Sequence, residues 1–179
     1  ARVFFAPYCV DNDRFAAAAA ALAGRRQALR RAWNIADEAC CLLFSGKFEA
    51  KKRPLDLIEA AAAARDLPGA ANHPLHALVA GDGALRQVCE ASCRRLGVPA
   101  TFTGFLNQAE LPSAYAAADA LVLPSDAGET WGLVVNEAMA SGLPAIVSDR
   151  VGCRADLVDH TTGRVFPCGD VRALAACIA

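Results

Sequence analysis

The chain has 179 residues, of which 55% are hydrophobic and 21% are charged, a composition that suits one domain with a sizeable buried core. Its formal net charge is −1, so the basic excess typical of nucleic-acid-binding proteins is missing, and we expect no nucleic-acid partner. No apolar run in the sequence approaches the roughly 20 residues of a membrane-spanning helix.

Eight cysteines raise the question of disulfides or of a metal site. Cys40 and Cys41 are adjacent in an apolar run, Cys89 and Cys93 lie four residues apart on a predicted helix, and no histidine stands near them at ligand spacing. This spacing favours free thiols in a reducing cytosol over a disulfide framework or a metal centre. We therefore expect a cytoplasmic protein whose cysteines hold neither a disulfide nor a metal ion.

Apolar runs and helical patterns alternate along the chain. The predicted strands cover residues 3–6, 39–44, 76–80, 101–103, 120–123, 145–148 and 164–166. The predicted helices cover residues 15–32, which Gly24 can break, 54–65, 84–96, 108–117, a helix that starts at 130–132, a short turn at 153–158, and 171–178. This alternation predicts an α/β fold, a Rossmann-like parallel sheet with helices on both faces.

Turns rich in glycine follow several of the predicted strands. In open parallel sheets, ligands bind beyond the carboxyl ends of the strands, so these turns should converge on one crevice. The turns are Gly46-Lys47, Gly81-Asp82-Gly83, Gly104-Phe105, residues 125–129 and Val151-Gly152.

The segment 126–149 carries the clearest chemical pattern of the chain. It combines a loop with Glu129, a helix start at Thr130-Trp131-Gly132, and a second acid, Glu137, in the second turn of that helix. A helix N-terminus suits a phosphate, because its first N–H groups are free and its dipole is positive. Two carboxylates beside a phosphate indicate that hydroxyl groups are bound there, which predicts a sugar nucleotide as ligand.

Each acid also has a simpler interpretation. Glu137 would be an exposed acid on a helix, and Glu129 would be an N-terminal acid favoured by the helix dipole. The pair is also compatible with the two carboxylates of a glycosidase, but that function would leave the phosphate-type loop and the parallel sheet unused.

Two further groups of residues have weaker signals. Gly46 and Lys47, together with Lys52, form a glycine turn followed by cations that can bind phosphate, although such lysines are usually solvated surface. Gly81-Asp82-Gly83 is either a tight turn or a backbone segment close to a ligand. The three histidines, His73, His76 and His160, are assigned to structural or solvent-exposed roles.

The ordered set of motifs resembles the C-terminal, donor-binding half of a GT-B glycosyltransferase of the retaining family four (glycosyl transferases group 1). The matching stretches cover most of residues 44–170. They read FSGKFEAKKRPLDLIEA, LVAGDGALR, TGFLNQAELPSAYAAADALVLPS, ETWGLVVNEAMASGLPAIVSD and GRVFPCGD. The spacing E-x(7)-E from Glu129 to Glu137, followed by AMASGLPAIVSD, is the most specific of them.

The resemblance implies a role for each site residue on the nucleotide side. Lys47 and Lys52 would neutralise the diphosphate of the donor and thereby assist catalysis. Gly46 would line the same pocket. Phe105 would lie against the nucleobase, and Glu137 would bond the ribose hydroxyls.

On the sugar side, the resemblance implies that Glu129 faces the transferred sugar and assists the reaction, and that Gly128 allows close approach. The helix start would bind phosphate or sugar oxygens through Thr130, Trp131, Gly132 and Leu133, the last three with their N–H groups. The implied reaction transfers a hexose from a UDP- or GDP-linked donor to an acceptor hydroxyl, retains the anomeric configuration and needs no metal.

The resemblance also concerns what this chain lacks. Residues 1–179 would form a single donor-binding domain, while a second domain, which binds the acceptor sugar or lipid-linked sugar and could associate with a membrane, would precede it. The chain alone is then expected to be inactive. Two departures from the family pattern are Lys47 in place of arginine, which loses bidentate phosphate binding, and Trp131 in place of phenylalanine. The alternatives are a non-catalytic nucleotide-binding module and half of a GT-B sugar-nucleotide epimerase.

Overall fold

The computed structural model describes residues 2, 4, 8–67 and 74–179. The strand predicted at residues 3–6 and the residue His73 lie outside this described part. In the part that is described, every helix is too short or too polar to traverse a lipid bilayer.

Helices and strands alternate as the sequence predicts, with shifts of a few residues at the element ends. The helices are α1 (Asn12–Leu22), α2 (Arg26–Ala32), α3 (Pro54–Ala64), α4 (Arg86–Leu96), α5 (Leu111–Ala117), α6 (Leu133–Ala140), α7 (Arg154–Leu157) and α8 (Val171–Ile178). The strands are β1 (Cys40–Ser45), β2 (Leu75–Ala80), β3 (Ala100–Gly104), β4 (Ala120–Leu123), β5 (Ala145–Ser148) and β6 (Gly163–Phe166). Short 3₁₀ helices cover Ala23–Arg25 and Ala50–Lys52.

The six described strands form one parallel sheet in the order β3-β2-β1-β4-β5-β6. This order confirms the predicted Rossmann-like sheet. The chain first adds strands on one side of β1 and then returns to add β4, β5 and β6 on the other. The loops that follow β1 and β4 therefore diverge, and a crevice opens between them at the carboxyl end of the sheet.

Helices cover both faces of the sheet, as predicted. Cys41 and Leu43 of β1 point into a core shared with α1, α5 and α6, while Leu42 and Phe44 point into a core shared with α3, α4 and α8. Successive side chains of a strand alternate between its faces, so the run of apolar residues in β1 is the consequence of burial on both sides.

The alanine-rich segment predicted as one helix is divided in two. Asp11 caps α1 by accepting a hydrogen bond from the N–H of Arg14 at 3.0 Å, so the helix begins at Asn12. The chain then tightens into the 3₁₀ turn around Gly24 before α2 begins.

The helix predicted from residue 108 begins only at Leu111. The side chain of Asn107 accepts hydrogen bonds from the N–H groups of Ala109 and Glu110, at 2.8 and 3.1 Å, and so stabilises a turn instead of the first helical residues. Gln108 consequently lies in the loop that follows β3.

An ion-pair cluster at the start of β4 fixes α2 to the sheet. Asp119 bonds Arg26 at 2.6 Å and Arg30 at 3.2 Å, and it also accepts the N–H of Cys41 at 2.7 Å. The guanidinium of Arg30 is buried and donates further hydrogen bonds to backbone carbonyls, including those of Ala36 and Ala117. The Asp119 carboxylate, just before β4, therefore connects α2 with β1.

Replacing Asp119 with alanine should lower the free energy of unfolding by about 2 kcal/mol, because a buried guanidinium loses its counter-charge while the partner carboxylate is partly screened by solvent. Urea denaturation measures the change. The control is Asp37→Ala, which removes an exposed carboxylate in the turn before β1 and should change stability by less than about 0.5 kcal/mol. Equal losses in the two variants would contradict the role given to Asp119.

Candidate functional site

The loops at the carboxyl end of the sheet enclose a cleft of about 720 Å³, which we call the main cleft. Its wall combines the turns after β1, β2 and β3 with two residues of α6, Val134 and Glu137. The lining residues are Ser45, Gly46, Lys47, Ala80, Gly81, Asp82, Gly83, Phe105, Leu106, Gln108, Leu111, Val134 and Glu137.

A second depression of about 410 Å³, which we call the side cleft, surrounds the N-terminus of α6. Its lining residues are Tyr8, Lys52, Glu129, Thr130, Trp131, Gly132, Leu133 and Val134. Val134 lines both clefts, so they meet at the first turn of α6. A ligand with two chemically different halves could occupy both.

The floor of the main cleft depends on two glycine turns that touch. A Cβ atom added to Gly81, whose φ is +135°, would lie only 1.9 Å from the carbonyl oxygen of Gly46. The N–H of Gly81 meanwhile donates to the carbonyl of Gly104 at 2.8 Å. Gly81 therefore serves both of the roles considered for it. It forms a tight turn, and the same turn places backbone without a side chain at the surface of the main cleft.

Glu137 is buried, with 8% of its surface exposed, so its interpretation as an exposed helical acid is wrong. The hydroxyl of Tyr115 donates a hydrogen bond to its Oε2 at 2.7 Å. Burial raises the pKa of Glu137, while the hydrogen bond from Tyr115 and the charge of Arg14 act to lower it. The sequence indicated the position of this acid but not its partner.

Lys52 and Glu129 form an ion pair in the side cleft. Their side chains are only 18% and 13% exposed. Ser125 donates a further hydrogen bond to Glu129 at 3.3 Å, and the stem of Lys52 passes beside Gly46. The family resemblance implies that the lysine binds phosphate and the glutamate faces the sugar, and the structure brings these two side chains into contact.

Lys47 stands apart from this pair. Its side chain is 79% exposed at the rim of the main cleft, and its Nζ lies 4.0 Å from a carboxylate oxygen of Glu49. A cation on such a long exposed stem can reach an anion in the cleft without rearrangement of the backbone.

Gly132 sets the start of α6. It has a φ of +95°, and a Cβ atom there would lie 2.9 Å from Leu123 and 3.0 Å from Val151. Only glycine fits this left-handed position without strain. By helix geometry the first N–H groups of α6, including that of Leu133, have no acceptor within the helix. Leu133 and Val134 line the side cleft, and Val134 also lines the main cleft, so this helix end lies where the two clefts meet.

Aromatic residues frame the two clefts. Trp131 stacks on Tyr8 with ring centroids 5.2 Å apart, and its Nε1 donates to Asn136 at 2.9 Å. Phe105 is 79% exposed and lines the main cleft, so its ring is free to stack against a planar group of a ligand.

Of two further predicted site residues, Thr130 lies in a cleft and Gly128 does not. Thr130 lines the side cleft, and its carbonyl is so close to Gly152 that a Cβ atom there would lie 2.0 Å away. Gly128 lines neither cleft; its N–H donates to Asp126 at 2.7 Å, and it lies against the side chain of Lys51.

Other candidate groups prove structural. His76 is buried and hydrogen-bonded to Thr101 at 2.9 Å, and its pKa is lowered by burial and by Arg30. His160 is exposed in a turn, and all eight cysteines are free thiols. Among the residues that the structure describes, no three His, Cys, Asp or Glu side chains are grouped so as to hold a metal ion.

Sequence reasoning missed several lining residues and one residue behind the cleft wall, Tyr115. Ser45 and Ala80 end their strands, so their position at the carboxyl edge was a usable signal, whereas Gln108 was assigned to a helix. Tyr115 had no signal at all, because it lies on a buried helix face 22 residues from Glu137.

Comparison with known proteins identifies the family. The family profile described as glycosyl transferases group 1 matches residues 25–179. The chain belongs to this family. The resemblance inferred from the sequence motifs is thereby confirmed, together with the expected fold of one half of a GT-B enzyme.

Three relatives illustrate the similarity of this group 1 glycosyltransferase chain. It is 45% identical over 95 residues to the sulfoquinovosyl transferase SQD2 of Arabidopsis thaliana, which covers 51% of this chain and 18% of that protein. It is 35% identical over 161 residues to a GDP-mannose-dependent alpha-mannosyltransferase of Mycobacterium tuberculosis, covering 90% of this chain and 37% of that protein. The crystal structure of Anabaena HepE in complex with UDP and glucose matches with a TM-score of 0.74 and 25% identity, covering 87% and 41% of the two chains.

The chain therefore spans less than half the length of each of these three proteins.

Replacing Gly81 with alanine should lower the free energy of unfolding by more than about 2 kcal/mol, because the added methyl group collides with the carbonyl of Gly46 and the backbone angle disfavours any side chain. The control is Gly24→Ala, where a Cβ atom meets nothing within 4 Å, and it should be neutral or stabilising by up to about 1 kcal/mol. Thermal and urea unfolding of both variants test this. Unchanged stability of Gly81→Ala would contradict the close packing of the two turns.

Proposed function

We propose that this chain binds the nucleotide-sugar donor of a retaining glycosyltransferase. The nucleoside would occupy the main cleft, the diphosphate would lie at the junction near the N-terminus of α6, and the sugar would enter the side cleft. The observation that carries the proposal is the buried carboxylate of Glu137 on the wall of the main cleft, adjoining a helix N-terminus and a second cleft with its own acid and cation.

The nucleoside part is supported by the chemistry of the main cleft. Glu137 offers a carboxylate oxygen that can accept hydrogen bonds from the ribose hydroxyls, and Phe105 offers an exposed ring for the base. The bare backbone at Gly46 and Gly81 permits close approach of a ligand. The relative that uses GDP-mannose and the neighbour that holds UDP are consistent with a nucleoside diphosphate as the common element.

The diphosphate part is supported by positive charge around the junction. The N-terminus of α6, which begins after Gly132, contributes free N–H groups and the positive end of its dipole. Lys52 lies beside these groups, and Lys47 can reach in from the rim. These charges would stabilise the diphosphate as the glycosidic bond breaks, so we propose that no metal ion is required.

The sugar part is supported by Glu129. Its carboxylate lines the side cleft and is held by Lys52 and Ser125, so it can accept hydrogen bonds from the transferred hexose without rotating. We propose that Glu129 orients the sugar and stabilises positive charge at the anomeric carbon, and that the acceptor hydroxyl attacks from the same face as the leaving diphosphate.

We also propose that this chain alone transfers little sugar, because the family resemblance assigns acceptor binding to a second domain. Efficient transfer by the purified chain would contradict this. A non-catalytic nucleotide-binding module would bind the nucleotide as well, so sugar transfer by the complete protein separates it from the transferase. Conversion of a nucleotide sugar into its epimer, without transfer to an acceptor, would indicate an epimerase instead.

Calorimetric titration of the chain with UDP, GDP and ADP should reveal binding of at least one nucleotide. Glu137→Gln should weaken that binding by about tenfold, because hydrogen bonds from hydroxyls to a charged acceptor are stronger than those to a neutral amide. The matched control is Glu59→Gln on the exposed side of α3, which removes the same charge and should leave the affinity unchanged. Absence of binding by all three nucleotides to the folded chain would contradict the proposal.

Lys52 and Lys51 offer a second matched pair for the diphosphate. Lys52→Ala should weaken binding of the nucleoside diphosphate by roughly ten- to a hundredfold, because a charge-assisted contact to phosphate is lost, while binding of the corresponding nucleoside should barely change. Lys51→Ala removes the neighbouring cation, which pairs with Glu49 outside both clefts, and should have little effect. Equal effects of the two substitutions would indicate only general electrostatic attraction.

A further inference from the structure

Tyr115 is a buried residue whose polar end meets the proposed nucleotide site. It lies on α5 with 2% of its surface exposed, and its ring packs edge-on against Phe15 at a centroid distance of 6.0 Å. Its hydroxyl, by contrast, meets a polar group: it donates a hydrogen bond to Oε2 of Glu137 at 2.7 Å. The ring thus fixes the hydroxyl, and the hydroxyl can fix the carboxylate.

This hydrogen bond distinguishes the two oxygens of the Glu137 carboxylate. Oε2 is bonded to Tyr115, whereas Oε1 accepts no hydrogen bond from the residues that the structure describes. Because Glu137 lines the main cleft, Oε1 is the oxygen available to a ligand. A carboxylate held at one oxygen can present the other in a defined direction without loss of rotamer entropy on binding.

The same bond bears on the charge of the carboxylate. Burial favours the protonated form of Glu137 and raises its pKa, and two neighbours oppose this: Tyr115 on α5 and Arg14 on α1. The pKa of Tyr115 is itself raised, chiefly by burial and by the charge of Glu137, so the phenol stays protonated and remains a donor. Arg14 is held in place by Gln108, with Nη1 3.0 Å from the Gln108 carbonyl oxygen.

We propose that Tyr115 is a positioning residue that holds Glu137 ready to accept the hydroxyl groups of the nucleotide ribose. The proposal rests on the function proposed above and deepens it, because it assigns the preference for ribose to a pair of residues on α5 and α6. Tyr115 itself touches no ligand, since it does not line the main cleft.

The test compares the nucleoside diphosphate that binds the wild type most tightly among UDP, GDP and ADP with its 2′,3′-dideoxy form. The wild type should prefer the ribose form. Tyr115→Phe keeps the packed ring and removes only the hydroxyl, so it should weaken binding of the ribose form about fivefold to tenfold and leave the dideoxy form unchanged. The ratio of the two affinities should therefore fall towards one.

A merely structural role would lower both affinities together, and this outcome would overturn the proposal, as would an unchanged ratio. Thr101→Val is the matched control: it deletes a hydroxyl that bonds the Trp33 carbonyl at 2.5 Å and contacts His76, away from both clefts. It should share any loss of melting temperature and keep the ratio of the wild type. In a Glu137→Gln background, Tyr115→Phe should cause no further change of the ratio.

The pH dependence provides a second readout. Protonation of Glu137 replaces a charged acceptor with a weaker neutral one, so the preference for ribose should be lost as the pH falls through the pKa of Glu137. Tyr115→Phe removes a bond that lowers this pKa, so the preference should disappear at a higher pH than in the wild type. The same midpoint in both proteins would overturn the proposal. If the wild type binds no nucleotide at all, the proposed function fails, whereas binding with an unchanged ratio in Tyr115→Phe defeats only the role of Tyr115.

Discussion

The central constraint on this molecule is the reversal of strand order at β1. Strands are added outward to β3 on one side and to β6 on the other, and each crossover returns a helix to one of the two faces. The loops after β1 and β4 therefore part at the carboxyl edge and leave a crevice between them. Both clefts lie along this edge, so the site follows from the topology.

Close backbone contacts turn this open edge into a shaped surface. Gly81 touches the carbonyl of Gly46, and Gly132 fits between Leu123 and Val151 at the start of α6. In each case, the absence of a side chain lets two segments approach to a distance that any other residue would prevent. The same glycines leave polar backbone exposed to a ligand, so packing and binding use one feature of the chain.

Charges at the site are paired before any ligand arrives. Lys52 bonds Glu129 in the side cleft, and Tyr115 bonds Glu137 in the main cleft, while the stability of the fold depends on a separate pair at Asp119 and Arg30. Partly buried carboxylates need such partners, because desolvation otherwise favours their neutral form. A ligand that binds here meets groups already oriented, which reduces the entropy lost on binding.

The sequence by itself determined the alternation of strands and helices, the parallel sheet, the family signature from Glu129 to Glu137 and the convergence of the glycine turns, since periodicity and turn chemistry are local properties. It did not determine the start of α5, where the side chain of Asn107 competes with the helix, nor the burial of Glu137. Only the tertiary structure decided the pairs Tyr115–Glu137 and Lys52–Glu129, whose members are 22 and 77 residues apart. Their contact depends on which face each crossover helix covers and how far it is rotated, and no local pattern encodes either.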